Sequence, residues 1–410
     1  MKLLYLLTAI VLFTQLRGGV LLVMPLILLY FNKIQPYHTA EKKVVILFCL
    51  FFISAFVGIM MGWTTFSGVF LSIWLFLPIL RCFYARPRFN PQKKITIQSF
   101  IKTTQPILFI VNFIGLIIWL KQHGDEFGIA YGRHFEYVHG LALVNLMYFF
   151  YYIVQIFYNK KSRKNIILAI LFFISFALCD FGLGWVTLFL TILTYMLLNI
   201  NFKYALLFIC TISLAYIALQ TDKFSYEKQN IDNVILNPDD ARKAIMFYET
   251  KDLFNENPLI TLLGTGAGGY NSRASILLTN DSDNIFNKIL GSQSPQFYQK
   301  YIYPLWNKSF VSQSDFTDGT RNKPFSSFVA IFCEQGIIFG FILFFSFIQR
   351  IYTYHRQEKK NSILTYLVLI NLFMFISCII HEWMISTEFI LFLIINYISL
   401  CELRQKQINS

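Results

Sequence analysis

The sequence predicts an all-α polytopic membrane protein of about 11–12 transmembrane helices with one large, partly helical loop outside the membrane. Three observations carry that expectation. Of 410 residues, 56% are apolar and only 14% are charged, where a soluble domain carries about a quarter charged. The apolar residues fall in runs of the roughly 20 residues that cross a bilayer core of about 30 Å as a helix. The charges are also partitioned: 221–325 holds 11 basic and 12 acidic residues, which leaves 24 basic and 10 acidic residues for the rest of the chain.

Taken in order, the opening stretch 3–31 is one long span or two short ones broken at Arg17-Gly18-Gly19. Two are preferred, because an Arg in mid-bilayer is costly. It is not read as a cleavable signal, since it lacks a small-residue cleavage site and the apolar pattern resumes after Arg17. Further spans are expected at 44–62, 65–84, 104–120, 138–157, 165–179, 184–200, 204–219, 326–349, 363–380 and 386–401. Trp63, Trp119, Tyr151, Tyr152 and Trp383 stand near their ends, where an interfacial aromatic belt is expected. Lys102 and Asp180 are candidate buried charges. The seven cysteines lie in or beside apolar runs with no CxxC pair, which reads as small hydrophobes and predicts no metal centre. The chain divides into an N-terminal bundle (1–220), the loop (221–325) and C-terminal helices (326–410).

The basic surplus sits in short connectors: Lys42-Lys43, Arg86 to Lys94, Lys160 to Lys164, Arg350 to Lys360, and Arg404 with Lys406. Short Lys/Arg-rich loops stay in the cytoplasm, so topology accounts for the charge better than nucleic-acid binding does. Alternation of spans then places 121–137, the turn near Asp180, 221–325 and 381–385 outside the cytoplasm.

Within the loop, Asp239 or Asp240 is expected to cap a helix with Ala244, Ile245, Phe247 and Phe254 on its apolar face, ended by Asn257-Pro258. Gly264, Gly266, Gly268 and Gly269 then permit tight turns and close backbone approach to a ligand. A dinucleotide site would need a strand before this cluster and an acidic residue after it, in a βαβ unit; a helix precedes it instead. The loop contains no histidine, which argues against a self-contained Ser/His/Asp triad or a loop-borne metal site. Arg242, Arg273, Arg321 and Lys323 are its interesting cations, because arginine holds phosphate oxygens bidentately. On the same side, Arg133, His134, Glu136 and His139 cluster at one span start, and His381-Glu382 ends another.

From about 240 to 341 these features resemble the bacterial O-antigen ligase and polymerase superfamily. The resemblance rests on Arg242 leading an amphipathic helix, Asn257-Pro258-Leu259, the glycine cluster, and re-entry as Ser326-Ser327 through Glu334-Gln335-Gly336 to Gly340. Phe325 stands where the ligases carry a histidine, and 271–320 is longer than the usual spacer. Both departures favour a repeat-unit polymerase over a ligase.

The resemblance implies a metal-independent glycosyltransferase with no cofactor, in the bacterial inner membrane with its large loop periplasmic. It would join oligosaccharides carried on undecaprenyl pyrophosphate, with a chain-length regulator as a candidate partner and no nucleic acid. Arg242, Arg273, Arg321, Lys323 and Arg133 become candidates to hold the diphosphate, and Glu334 or His381 to act as base or to orient the acceptor. A lipid-linked sugar flippase is the rival from another class, but one dominant outer loop suits a transporter poorly.

Overall fold

The computed structural model describes residues 5–10, 25–30, 37–38, 42–87, 96–121, 136–158, 162–179, 181–199, 236–279, 285–313, 325–358 and 361–409, with isolated positions 23, 228–229 and 232. Before the loop come α1 (Lys42–Met60), α2 (Phe66–Phe83), α3 (Ile97–Lys121), α4 (Glu136–Tyr158), α5 (Arg163–Leu178) and α6 (Gly182–Leu198). The loop carries α7 (Arg242–Glu256), α8 (Pro258–Leu263), α9 (Arg273–Leu277), α10 (Ile285–Leu290), a π turn at Tyr298–Ile302, α11 (Tyr303–Trp306) and α12 (Lys308–Gln313). After it follow α13 (Ser327–Gln357), α14 (Ser362–Ile380) and α15 (Thr387–Asn409). The one extended pairing among the described residues is a two-residue antiparallel bridge, Tyr37–His38 against Arg86–Pro87. The chain is therefore an all-α multi-pass membrane protein.

Six described helices are long and apolar enough to cross a membrane: α1, α2, the Ile97–Ile117 part of α3, the His139–Tyr158 part of α4, α13 and α14. Phe66, Phe113 and Phe157 on their flanks are 77%, 62% and 78% exposed, a surface that suits lipid and not water. The helices α5 and α6 are shorter, at 16 and 17 residues, and match the expected spans at 165–179 and 184–200. The expected span 204–219 and the break at Arg17-Gly18-Gly19 lie outside the described residues. The helix α3 starts earlier than expected, at Ile97, so Lys102 is exposed in its second turn and not buried. Asp180 lies outside the described residues.

Inside the bundle, polar side chains pair across helices, as lipid-immersed interfaces favour. Asn112 on α3 and Asn145 on α4 exchange two amide hydrogen bonds of 2.8 and 3.1 Å. The Asn371 amide of α14 donates to Asn396 of α15 at 2.8 Å. The expected aromatic belt is not what Trp63, Tyr151, Tyr152 and Trp383 form; all four are buried, packed on Phe297, Tyr366, Phe172 and Phe181 in turn. The side chain of Trp119 lies outside the described residues.

Helix packing separates two ends. At one, Lys43 of α1 donates to Gln349 of α13 at 2.8 Å, Arg350 donates to the Phe83 carbonyl closing α2, and Tyr158 of α4 meets Thr365 of α14. This end gathers the described cations Lys43, Arg86, Arg350, Arg404 and Lys406 of the basic connectors. At the other end, the Ser327 hydroxyl at the start of α13 accepts from Trp383 and Met384, and the loop sits on α1 and α2.

The loop has a core of its own. Met246, Leu253, Ile260, Tyr270, Phe297, Tyr298 and Ile302 cluster with Trp63 of the bundle and with Phe325, Val329 and Cys333 of the re-entering chain. The buried side of α7 is set by Arg242, Met246 and Leu253, while Phe247 of the expected apolar face is exposed. The expected Asp cap is also replaced: Pro238–Asp240 forms a 3-10 turn, and Ala241 precedes α7 without a side-chain cap.

Glu256, at the end of α7, is bonded by Lys300 and Tyr301 of the π turn. Burial raises the Glu256 carboxyl, but these two hydrogen bonds and the Lys300 charge outweigh it and hold it below its usual value of 4.5. A depressed carboxyl contributes stability that is complete above the unfolded value and lost as pH falls through the folded one. Acidification from pH 6 to 3 is therefore expected to speed proteolysis of the loop. A Glu256→Gln variant should lose that part of the acid dependence, and an unchanged profile would show that the contact holds nothing.

Candidate functional site

The site forms where the loop meets α13. After α7, the Asn257 side chain accepts from the Leu259 N–H at 2.8 Å and caps α8, with Pro258 at its first position. The helix stops at Gly264, whose φ of +79° is open to glycine at little cost. From there the chain runs against the backbone of α13. A Cβ on Gly264 would lie 2.3 Å from the Glu334 carbonyl carbon, and one on Gly336 would lie 2.2 Å from the Leu262 oxygen. The predicted close approach is real, but its object is a helix backbone.

Gly336, at φ +79° and ψ +170°, interrupts α13. The Cys333 and Glu334 carbonyls accept instead from the loop, from Thr265 N–H at 2.8 Å and Gly266 N–H at 3.0 Å. The Ser54 hydroxyl of α1 adds a bond of 2.8 Å to the Glu334 carbonyl. Above this junction the loop curls round the Glu334 side chain. Its Oε2 accepts from Gly268 N–H at 2.7 Å, and its Oε1 from Tyr270 and Ser272 N–H at 3.1 and 2.9 Å. The carboxylate is 3% exposed. Three converging peptide dipoles are a natural nest for an anion, and here the anion is the protein's own.

Beside this clamp lies a cavity of about 30 Å³, with Glu334, Gln335, Ser72, Ser272, Ser327 and Glu382 in its wall, room enough for a water. Gln335 Oε1 and Ser72 Oγ are buried there without a hydrogen-bond partner among the described residues. Ser327 ties the turn 381–384 to this wall, since its N–H also donates to the His381 carbonyl at 3.2 Å. The His381 Nδ1 accepts from the Glu382 N–H at 2.7 Å, so the neutral ring carries its proton on Nε2. In that tautomer His381 offers a donor, which suits orienting an acceptor oxygen and not removing its proton.

An aromatic wall continues outward. His381 lies 5.4 Å from Trp383, Trp383 lies 6.1 Å from Phe181, and Phe181 stacks on His139 at 4.2 Å. It gathers residues from the starts of α4 and α6 and the end of α14.

The expected cations separate. Arg273 opens α9 directly after Ser272, whose hydroxyl caps that helix and whose N–H grips Glu334; Arg273 is half-buried. Arg242 is only 1% exposed and donates to the Leu305 carbonyl at 3.2 Å. Enclosed in the loop core, it braces the loop and is not presented to a diphosphate. Arg133, Arg321 and Lys323 lie outside the described residues. Sequence reasoning passed over Lys243, which donates to the Phe325 carbonyl at 2.8 Å and fastens α7 to the re-entry point. It also passed over Ser54; a contact 280 residues away in sequence leaves no local signal. Among the described residues no group of three or more His, Cys, Asp or Glu is placed to hold a metal ion. Compared with known proteins, the chain matches no family model and no curated protein.

Proposed function

We propose that this protein is a membrane glycosyltransferase that polymerises oligosaccharide repeat units carried on undecaprenyl pyrophosphate, for O-antigen or capsule. The observation that carries the reading is the junction itself. A glycine loop is locked on a buried carboxylate at the mouth of the bundle, with Arg273, His381 and the Phe181–Trp383 wall at the same end of the molecule. The basic connectors support reading the opposite end as cytoplasmic, and with it a site at the periplasmic face of a bacterial inner membrane.

In the reaction an acceptor hydroxyl attacks the anomeric carbon of the donor. A C–O bond forms, the bond to the diphosphate oxygen breaks, and the lipid diphosphate leaves with that electron pair, while the acceptor proton passes to solvent. Arg273 faces the diphosphate charge, His381 Nε2–H orients the acceptor oxygen, and the aromatic wall takes a sugar face. Glu334 acts by holding the loop and makes no contact with the reacting atoms.

Purified protein in liposomes, given lipid-linked single repeat units, is expected to lengthen them without nucleotide sugar. Arg273→Gln should lower the rate roughly 10- to 150-fold, the worth of one charged hydrogen bond felt in the transition state, and Arg273→Lys should restore little. A strain lacking the protein should keep a single repeat unit on its lipid A core. Bare core with long lipid-linked glycan would instead make it a ligase, and single units held on the cytoplasmic face would make it a flippase.

A further inference from the structure

At the end of the bundle opposite the glycine loop lies a cavity of about 1000 Å³. Its wall takes Lys43 from the start of α1, Arg86 from the strand after α2, Arg350 from α13, and Arg404 with Lys406 from α15, and among the described residues it includes no Asp or Glu. We propose that this cavity is a binding site for a phosphate-bearing anion, supplied by the headgroup of a membrane lipid.

A basic surplus in cytoplasmic loops is general to membrane proteins, but it does not require cations from separate segments to meet round one space. Gathering like charges costs energy unless an opposite charge joins them. Two of these cations are held by neutral partners. Lys43 donates to the Gln349 side-chain oxygen at 2.8 Å. Arg350 donates to the Phe83 carbonyl with its guanidinium 3.8 Å above the Phe83 ring, a seat that fixes its direction without supplying an opposite charge. Lys406 differs, since Glu402 pairs with it at 3.0 Å. The cavity wall also contains the Ser346 hydroxyl, 8% exposed as a residue and without a hydrogen-bond partner among the described residues. A phosphate oxygen would supply that hydroxyl with its missing acceptor. Leu364, Leu400 and Leu403 line the same space, and an apolar wall beside a cationic one fits a phospholipid better than a free anion. The inference rests on this end of the molecule alone and stands whether or not the glycosyl-transfer reading holds.

The test is equilibrium binding to the full chain in neutral detergent, with radiolabelled phosphatidylglycerol, phosphatidylcholine and pyrophosphate. Saturable binding of phosphatidylglycerol, well above phosphatidylcholine, is expected, with at least about a 10-fold loss in Lys43→Gln/Arg350→Gln. In case that pair disturbs packing, Gln357→Glu/Gln407→Glu places two carboxylates at exposed positions of the wall and should weaken binding similarly. Saturable pyrophosphate binding without phosphatidylglycerol binding would keep the phosphate site but overturn the lipid as its source. Binding of neither probe, or binding untouched by both double variants, would overturn the site.

Discussion

Glu334→Ala is expected to free the loop from the bundle. The substitution leaves three peptide N–H groups, those of Gly268, Tyr270 and Ser272, without the carboxylate that collects them. Each charge-assisted bond contributes about 1.5–3 kcal/mol. Such terms do not add within one network, and water entering the adjoining cavity offsets part of the loss. A net cost of about 3–5 kcal/mol is the scale for removing one partner of a buried charged contact. Gln should rescue poorly, since its NH₂ would face an N–H where an oxygen now accepts. The readout is limited proteolysis of the purified protein: cleavage within 238–313 should accelerate strongly while the membrane helices stay intact, and under the proposed function glycan lengthening should be lost. A wild-type cleavage pattern in Glu334→Ala would mean that the loop is held by its apolar core alone.

The second large effect is steric. Gly264→Ala and Gly336→Ala each place a methyl group within 2.4 Å of backbone atoms, the Glu334 carbonyl for the first and the Leu262 carbonyl for the second. Both positions also combine φ of +79° with ψ near 180°, an essentially glycine-only region where an alanine costs on the order of 1–3 kcal/mol by itself. Backbone cannot swing aside as a side-chain tip can, so the two segments of the junction must part. Gly62 and Gly291 separate the two contributions, because they have φ of +71° and +79° with nothing within 4 Å of a built Cβ. Alanine at these two should lower stability by only the conformational cost and leave folded protein in the membrane. Alanine at Gly264 or Gly336 should abolish folded protein, judged by monodisperse elution in detergent. Equal behaviour of all four variants would show that the junction tolerates a gap.

Much of this architecture was legible because the bilayer imposes a length and a polarity on every helix that crosses it. The spans at 44–62, 65–84, 138–157, 326–349 and 363–380 all fall on helices, and Asn257-Pro258 announced a helix boundary that the structure makes into a cap. Side-chain roles were less legible. Trp63 reads as an interfacial ring in a one-dimensional pattern, but it packs on Phe297 of a loop more than 200 residues later. Arg242 and Glu334 read as charges available to a ligand, because sequence shows the charge and not the peptide groups folded round it. The glycine cluster declared that something must come close; only the fold could say that it is α13 for Gly264, α1 for Gly266 and α2 for Gly268.

The break at Gly336 also bears on how the chain is built into the bilayer. A helix ordinarily enters lipid with its own hydrogen bonds complete. Here α13 presents the Cys333 and Glu334 carbonyls to Thr265 and Gly266, and it carries a carboxylate eight residues into its length. An acidic residue at the centre of a span opposes insertion by about 2.5–3.5 kcal/mol, and Glu334, nearer the end of α13, opposes it by part of that. The groups that complete α13 belong to residues 264–272, which leave the ribosome before it does. The loop thus serves α13 as an internal template: that helix reaches its full complement of hydrogen bonds only when residues 264–272 have folded against it.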